Sequence, residues 1–319
     1  MPNAELKKPY PGQEHYSAPV EQVTLAEVDV VSISEAPSSF WRDSWRELRS
    51  RPMFWVSAVM ILFVLLVAYV PQLFTSVDPT FCELSRKYGA PEPGHPFGFT
   101  LQGCDIYARV IYGANASVTV GILTTLLTVI IGVTVGALGG YYGGWVDALL
   151  SRITDIFFAL PMVLAAIVIL QILDTGKNVL GVVAVLAVFG WTQTARIARS
   201  AVIGVRNLDY ITAAKSLGAS RFSILLRHVI PNAIAPVIVI ATVSLGTYIV
   251  AEATLSYLGL GLPDGVISWG GDISRAQVAL RTNAMVLFYP AAALAVTVLS
   301  FILLGDVVRD TLDPKSRKR

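Results

Sequence analysis

Six long stretches of the chain contain no Asp, Glu, Lys, Arg or His, and each has at least 18 residues. A helix that spans a bilayer needs about 20 predominantly apolar residues. The pattern therefore predicts an all-α, polytopic membrane protein. Because the uncharged stretch 110–146 is too long for one span, we place its helix in the middle. The six predicted transmembrane helices cover 53–74, 117–140, 156–173, 178–197, 231–253 and 284–305.

The distribution of Lys and Arg predicts the orientation of these helices. Cytoplasmic loops of membrane proteins carry an excess of these two residues. If the N-terminus is cytoplasmic, the inner segments hold 18 of the 24 Lys and Arg residues and the outer segments hold 6. Both termini are therefore predicted to be cytoplasmic. The predicted extracytoplasmic loops are 75–109 and 259–281, and the predicted cytoplasmic tail at the C-terminus is 306–319.

The polar N-terminal part predicts two different segments. Residues 1–38 show no hydrophobic period and contain five prolines, which predicts a disordered cytoplasmic tail. Residues 39–52 predict an amphipathic interfacial helix, with Trp41 and Trp45 at the level of the lipid headgroups and four arginines facing the cytoplasm. The alternative is an ordinary basic flank of the first span. The first 52 residues do not show the pattern of a signal peptide.

Composition supports the membrane prediction and excludes several functions. Charged residues make up 14% of the chain, against about 25% in soluble domains. The net charge of +2 predicts no nucleic-acid surface. The chain has no G-x-x-x-x-G-K-[ST] phosphate loop, so we expect no ATP hydrolysis by this chain itself. The three histidines lie far apart and suggest no catalytic cluster, and we expect neither a cofactor nor a metal site.

Ionisable residues are rare in the predicted spans. Asp155, Glu252 and Asp306 fall at predicted helix ends. A transporter driven by an ion gradient typically keeps several such groups in mid-membrane, so the pattern argues against a self-powered carrier. Glu252 is either an interfacial carboxylate with satisfied hydrogen bonds or a residue that lines the outer mouth of a pathway.

Small residues recur at a spacing of four in the second predicted span. Gly132, Gly136, Gly140 and Gly144 would form one face of a helix, which in lipid permits close helix packing. The partner helix is either in this chain or in a second subunit, and a hinge is the alternative function.

Both cysteines, Cys82 and Cys104, lie in the first predicted outer loop. The outer side of the membrane is oxidising, so a disulfide is permitted there. The alternative is two unrelated thiols. Metal binding is not expected, because a structural zinc ion usually takes four ligands.

A charged, helix-prone segment, 210–232, lies between the fourth and fifth predicted spans. The pattern predicts a short helix capped by Asn207 or Asp209, a bend at Gly218, and a second helix capped by Ser220. Pro231 is expected at the first turn of the next span. The residues expected to share one face of the first helix are Ile211, Ala214, Lys215 and Leu217, and those expected to form an apolar stripe on the second are Phe222, Leu225, Leu226 and Val229.

Two short helices joined at a bend form a compact projection, whose shape fits a groove on a cytoplasmic partner. The alternative is an elbow that only connects two spans. The segment resembles the cytoplasmic "EAA" loop of permease subunits of bacterial ATP-binding-cassette importers. Thr212 stands where that family has Glu, and His228 and Ile230 stand at the I and L positions of its I-x-L-P ending. The resemblance is carried in register by Ala213, Ala214, Gly218 and Pro231.

Three other stretches resemble signatures of dipeptide, oligopeptide and nickel permeases. They are "HPFGFTLQGCDIYARVIYGA" at 95–114, "EATLSYLGLGLPDGVISWG" at 252–270 and "LGDVVRDTLDP" at 304–314. The resemblance covers roughly residues 40–314. Cys104 stands where that branch usually has Arg, which favours a bond to Cys82.

The resemblance implies a type I importer permease (MetI-like) fold in the bacterial cytoplasmic membrane. It implies peptide import by alternating access; nickel, glutathione or another small solute is an alternative cargo, and a stand-alone secondary transporter is an alternative function. The implied partners are a homologous second permease, two ATPase subunits and an extracytoplasmic substrate-binding protein. The residues that would contact the ATPases are Tyr210, Thr212, Ala213, Ala214, Leu217, Gly218, Ser220 and Pro231.

Overall fold

The computed structural model describes residues 40–172 and 178–312. The predicted disordered tail, 1–38, lies outside the described residues, as do the outer segment 174–177 and the last seven residues. The chain divides into residues 1–45 and residues 46–319. Of the first unit, the described residues 40–45 belong to a helix.

The described residues form twelve α-helices and no named strand, which confirms the all-α prediction. Short 3₁₀ turns cover Pro71–Leu73, Leu84–Arg86 and Gln277–Ala279, and a π-helical turn covers Leu225–Val229. The helices are α1 (Phe40–Ser50), α2 (Pro52–Tyr69), α3 (Ile106–Tyr142), α4 (Gly144–Phe158), α5 (Met162–Ile172), α6 (Val179–Arg206), α7 (Asp209–Ser216), α8 (Arg221–Ile224), α9 (Ile230–Ala233), α10 (Ala235–Tyr257), α11 (Trp269–Ala276) and α12 (Met285–Leu312).

Among the described residues, five helices are individually long and apolar enough to cross a membrane: α2, α3, α6, α10 and α12. A sixth span is possible if α4 and α5 count together, but these two helices are bent by 79° at their junction. The prediction of one straight helix over 156–173 is therefore wrong. Pro161 explains the break, because proline has no N–H to donate and disfavours a helical conformation at the residue before it.

Several helices extend beyond their predicted ends. Helix α3 has 37 residues and is therefore about 55 Å long, well beyond the roughly 30 Å of a hydrocarbon core. The side chain of Asp105 caps its start by accepting a hydrogen bond from the Ala108 N–H. Helix α12 likewise continues to Leu312, past the predicted end at 305. The predicted start of α3 and the predicted end of α12 lie inside these limits, because the prediction follows the uncharged stretches rather than the helix ends.

Helices α3 and α6 pack closely through the glycines of α3. A Cβ atom added to Gly132 would lie 2.7 Å from the Thr194 Cβ, and one added to Gly140 would lie 2.8 Å from the Arg199 carbonyl oxygen. A Cβ on Gly136 would overlap the Ala195 carbonyl oxygen. These three glycines therefore face a helix of the same chain.

Gly144 does not belong to this face. It follows the end of α3, has a φ of +56°, and an added Cβ would meet no atom within 4 Å. The prediction that it packs with the other three glycines is wrong, because α3 ends at Tyr142 and the chain turns at Gly143 and Gly144. Its four-residue spacing continues the pattern in sequence but not in space.

Clusters of buried apolar residues join the spans to one another. The largest cluster brings together α3, α5, α6 and α10 through Val120, Leu170, Leu186 and Leu255. A second cluster places Trp269 of α11 against α2 and α3. In the loop between α2 and α3, a disulfide joins Cys82 to Cys104, whose Cα atoms are 4.0 Å apart. The disulfide closes this loop on the side of the molecule where α11 packs.

We predict that Gly136→Leu destabilises the protein, because the new side chain would occupy space that the α6 backbone already fills. Overpacking of this kind costs about 1–3 kcal/mol, which would lower the thermal unfolding midpoint in detergent. The control is Gly204→Leu in α6, where an added Cβ meets no atom within 4 Å. We expect its midpoint to stay the same or to rise. Equal losses in the two variants would contradict close packing at Gly136.

Candidate functional site

The candidate site is the stretch 207–233 between α6 and α10, called the coupling segment below. It consists of α7, a turn at Gly218, α8, the π-helical turn Leu225–Val229 and α9. Its helices are all short, so they owe their shape to end contacts and to packing rather than to helix propensity. The span that follows begins at Ala235 and has Pro236 in its first turn. Pro231 instead lies in the one-turn helix α9, which begins at Ile230, and this corrects its predicted position.

The bend at Gly218 is confirmed and has a specific geometry. Gly218 has a φ of +83°, a conformation that a residue with a Cβ rarely adopts. The Ala219 N–H donates to the Ala214 carbonyl at 3.2 Å, and the Gly218 N–H donates to the Lys215 carbonyl at 3.0 Å. These two bonds form a Schellman motif, which ends α7 and satisfies carbonyls left without a partner at its end.

The starts of the two helices differ in how they are capped. The Ser220 hydroxyl accepts a hydrogen bond from the Ser223 N–H at 3.3 Å, which confirms the predicted cap of α8. The prediction that Asn207 or Asp209 caps α7 is wrong. Leu208 occupies the cap position and its side chain makes no cap bond. Asp209 lies in the first turn, where its negative charge still favours the helix dipole.

One face of the coupling segment is buried against the ends of two spans. Ile211, Ile224, Leu225 and Val229 are fully or almost fully buried. They form one cluster with residues from two spans, namely Ala137 and Tyr141 of α3 and Val202 of α6. The coupling segment is therefore packed against α3 and α6 and is not a free loop between two spans.

The opposite face is exposed and contains several large apolar side chains. Leu217 is 87% exposed, and Tyr210 and Phe222 are exposed as well. Thr212, Ala213, Gly218, Ser220 and Pro231 are also exposed, and Ala214 is half-buried. The structure thus places seven of the eight residues assigned to the ATPase contact at the surface of the protein.

Two predicted apolar faces are split by the structure. Leu217 points away from Ile211, because it is the residue at which the chain leaves α7. In the second helix, Leu225 and Val229 are buried while Phe222 and Leu226 are exposed. The exposed pair and the buried pair are each four residues apart, so they follow two neighbouring rows of the helix. The same stretch contains the π-helical turn, in which the Ile230 N–H donates to the Leu225 carbonyl five residues back.

An arginine joins the ends of α6 and α3 just before the coupling segment, and other basic residues border the exposed face of the segment. The Arg206 guanidinium at the end of α6 donates to the Gly140 carbonyl of α3 at 2.5 Å. Lys215, Arg221 and Arg227 are exposed. The surface that the segment presents is therefore apolar in its middle and positively charged at its edges.

Comparison with known proteins identifies the family. The family of binding-protein-dependent transport system inner membrane components matches residues 128–318, which is more than half of the chain. The chain belongs to this family. The N-terminal transmembrane domain of oligopeptide transport permease C matches residues 39–91. The protein is thus a multi-pass permease of the bacterial inner membrane and a component of an ATP-binding-cassette importer, which works with a binding protein and ATPase subunits.

Relatives and solved structures agree with this assignment. The permease is 34% identical to the oligopeptide transport system permease protein OppC of Bacillus subtilis (strain 168), over 91% of this chain and 94% of the relative. It is 36% identical to the glutathione transport system permease protein GsiD of Shigella flexneri serotype 5b, over 86% and 90%. A chain of the inward-facing MetNI methionine transporter shares the fold, with a TM-score of 0.54 and 20% identity over 64% of this permease and 96% of that chain.

Glu252 of the permease lies at a different place from the one predicted. It is completely buried in α10, and its Oε1 atom accepts a hydrogen bond from the Ser256 hydroxyl at 2.7 Å. It therefore lines no open pathway in this conformation. Asp306 is not at a helix end either, because α12 continues past it. Asp155 is exposed and pairs with Arg196 at 2.8 Å.

The sequence reasoning missed an ion-pair network beside the disulfide. Arg109 of α3 donates to Asp272 of α11 from Nε at 3.0 Å, and Arg275 contacts the same carboxylate at 3.3 Å. The Arg109 and Asp272 side chains are largely buried. Arg109 is part of the stretch 95–114 that carries the family resemblance. Nothing in the sequence, however, indicates which of several carboxylates it pairs with 163 residues away.

We predict that Gly218→Ala destabilises the coupling segment by about 1 kcal/mol, because alanine is strained at a positive φ. The matched control is Gly204→Ala, in a helix interior with open space around the added Cβ. There alanine is expected to stabilise by about 0.5–1 kcal/mol. Hydrogen exchange of the α7 amides would show faster local opening in the first variant. Unchanged exchange in Gly218→Ala would contradict the role of its backbone conformation.

Proposed function

We propose that the permease imports di- or oligopeptides by ATP-driven alternating access and that the coupling segment is its contact with the ATPase subunits. The proposed assembly contains this chain, a homologous second permease, two ATPase subunits and an extracytoplasmic substrate-binding protein. ATP hydrolysis takes place in the ATPase subunits. The names of the relatives support a peptide cargo, since they concern oligopeptides and glutathione, which is itself a small peptide.

The observation that carries the docking proposal is the two-sided construction of the coupling segment. Its buried face holds it to α3 and α6, while its other face exposes Leu217, Phe222 and Tyr210 to solvent. Exposed apolar residues rimmed by polar ones are typical of an interaction surface. An element that only connects two spans would have no need for three large apolar side chains in water.

The anchored face explains how movement would reach the transport pathway. A push on the exposed face acts through Ile211, Ile224 and Val229 on the ends of α3 and α6. The segment also leads through α9 directly into α10. Displacement of the coupling segment is therefore transmitted to three spans at once. Closure of the ATPase pair on ATP binding would turn the cavity outward, and hydrolysis would reset it.

The chemistry of the exposed face also indicates what the ATPase cleft must offer. Ala213 and Thr212 are small, so the α7 backbone can approach a cleft wall closely. Thr212 in place of the family Glu removes one negative charge from this contact. Lys215, Arg221 and Arg227 remain as exposed positive charges. The proposed cleft has an apolar floor for Leu217 and acidic residues at its rim.

We predict that Leu217→Asp prevents association with the ATPase subunits while leaving the permease folded. The side chain is 87% exposed, so the substitution disturbs no internal packing, but it would place a charge in the proposed apolar cleft. The measurement is co-purification of ATPase subunits from detergent-solubilised membranes. Leu84→Asp, an exposed leucine in the loop between α2 and α3, is the control and should retain them. Equal recovery with both variants would exclude docking at Leu217.

The cargo is tested by uptake into proteoliposomes that contain the complete transporter, with ATP inside and the binding protein outside. We expect uptake of a labelled oligopeptide that depends on ATP and persists when ionophores dissipate ion gradients. Unlabelled oligopeptides should compete with it. Competition by glutathione alone would reassign the cargo, and so would competition by Ni²⁺ alone. Uptake that follows an ion gradient and ignores ATP would show a secondary transporter instead.

A further inference from the structure

Helix α4 has an unusual position next to the coupling machinery. It follows the turn at Gly143 and Gly144, which both have positive φ, and it is bent by 79° from α5. Helix α5 has 11 residues and is about 16 Å long, so it does not cross the bilayer by itself. If α5 enters the bilayer along the membrane normal, the 79° bend places α4 close to the plane of the membrane surface. The charge distribution predicts that 147–155 is on the cytoplasmic side. Helix α4 therefore has the orientation of an interfacial helix at the cytoplasmic leaflet.

The side chains of α4 are arranged as this position requires. Trp145 is 75% exposed, and Leu149, Ile153 and Ile156 continue an exposed apolar row at helical spacing. Asp147, Ser151 and Asp155 form a second row, four residues apart, that is polar and lines a cavity. An apolar row opposite a polar row, with a Trp near one end, is typical of helices that lie in the lipid headgroup region.

The cavity lies between α3, α4 and α6 and has a volume of about 670 Å³. It contains three arginines and two aspartates, so it has an excess of positive charge. Arg199 of α6 binds Asp147 through two hydrogen bonds of 2.5 and 2.6 Å. Arg196 donates to Asp155 at 2.8 Å, and its guanidinium lies 3.8 Å from the centre of the Phe158 ring. These pairs hold the two α6 arginines in fixed positions at the wall of the cavity.

Arg152 supplies the excess charge. Its side chain is 84% exposed, and its Nη1 atom is 3.9 Å from Asp155, which is beyond hydrogen-bond distance. At about 100° per residue, Arg152 lies on α4 between the polar row and the apolar row. A guanidinium has five N–H donors and matches the geometry of a phosphate group. Arg152 is thus placed where the cavity meets the lipid-facing side of α4.

We propose that this cavity binds the phosphate group of an anionic phospholipid from the cytoplasmic leaflet, with the acyl chains lying along the apolar row of α4. Arg152 and Arg196 provide N–H donors for the phosphate. Basic cavities between transmembrane helices on the cytoplasmic side are suited to lipid headgroups. Since α4 is ion-paired to α6, and α6 leads into the coupling segment, an occupied site would stiffen the end of α6.

The test uses the full transporter complex in detergent, titrated with phosphatidylglycerol, with phosphatidylcholine and, separately, with inorganic phosphate. The measurement is the thermal unfolding midpoint at each lipid concentration. We expect phosphatidylglycerol to raise the midpoint and phosphatidylcholine to raise it much less. Arg152→Gln should require a three- to tenfold higher concentration of phosphatidylglycerol for half the effect, since it loses a charge-assisted contact, roughly the effect of 0.7–1.4 kcal/mol. Arg152→Lys keeps the positive charge, so it should raise the required phosphatidylglycerol concentration by less than Arg152→Gln does.

The matched control is Arg309→Gln, another exposed arginine at the predicted cytoplasmic end of a span. It should titrate like the unmodified protein. The proposal is overturned if Arg152→Gln also titrates like the unmodified protein, or if phosphatidylcholine is as effective as phosphatidylglycerol. It is also overturned if inorganic phosphate gives the same stabilisation and abolishes the effect of added phosphatidylglycerol, because the site would then bind free phosphate rather than lipid.

Discussion

Close contact between the backbones of α3 and α6 is the constraint from which most of the structure follows. In a bilayer, apolar helices gain little free energy when their surfaces are removed from lipid. Their association therefore depends on how closely they can pack. Gly136 and Gly140 bring α3 against the Ala195 and Arg199 carbonyl groups of α6, and Gly132 brings it against the Thr194 side chain. Contact at the backbone fixes the rotation of α6 as well as its position. The coupling segment and the arginine cavity are both built on α6, so both inherit this orientation.

The two ends of the permease are stabilised in different ways. At the end with the disulfide, the Cys82–Cys104 bond closes the loop between α2 and α3, and the Arg109–Asp272 pair joins α3 to α11. At the other end, the coupling segment is held mainly by apolar packing. Apolar packing has no directional bonds to break, so it tolerates small shifts better than an ion pair does. The coupling segment, which is proposed to be moved by the ATPase subunits, is therefore held by contacts that permit small displacements.

The sequence predicted features that depend on local chemistry. The positions of the spans follow from runs of apolar residues, the bend at Gly218 from a residue that permits positive φ, and the cap at Ser220 from a hydroxyl before a helix. What could not be predicted depends on contacts between distant parts of the chain. The complete burial of Glu252 and the pairing of Arg109 with Asp272 require knowledge of which helices are neighbours. Likewise, no special residue in the sequence announces the π-helical turn at Leu225–Val229.

That π-helical turn also separates two properties that a regular helix would link. In an uninterrupted α-helix from α8 into α10, the direction in which α8 points would fix the direction in which α10 points, since each residue turns the helix by about 100°. The wider turn at Leu225–Val229, followed by the one-turn α9, lies between them. The proposed docking face of the coupling segment and the rotation of α10 are thus not tied to one regular helical register. A different face of α8 could therefore be presented to a partner without a matching rotation of α10.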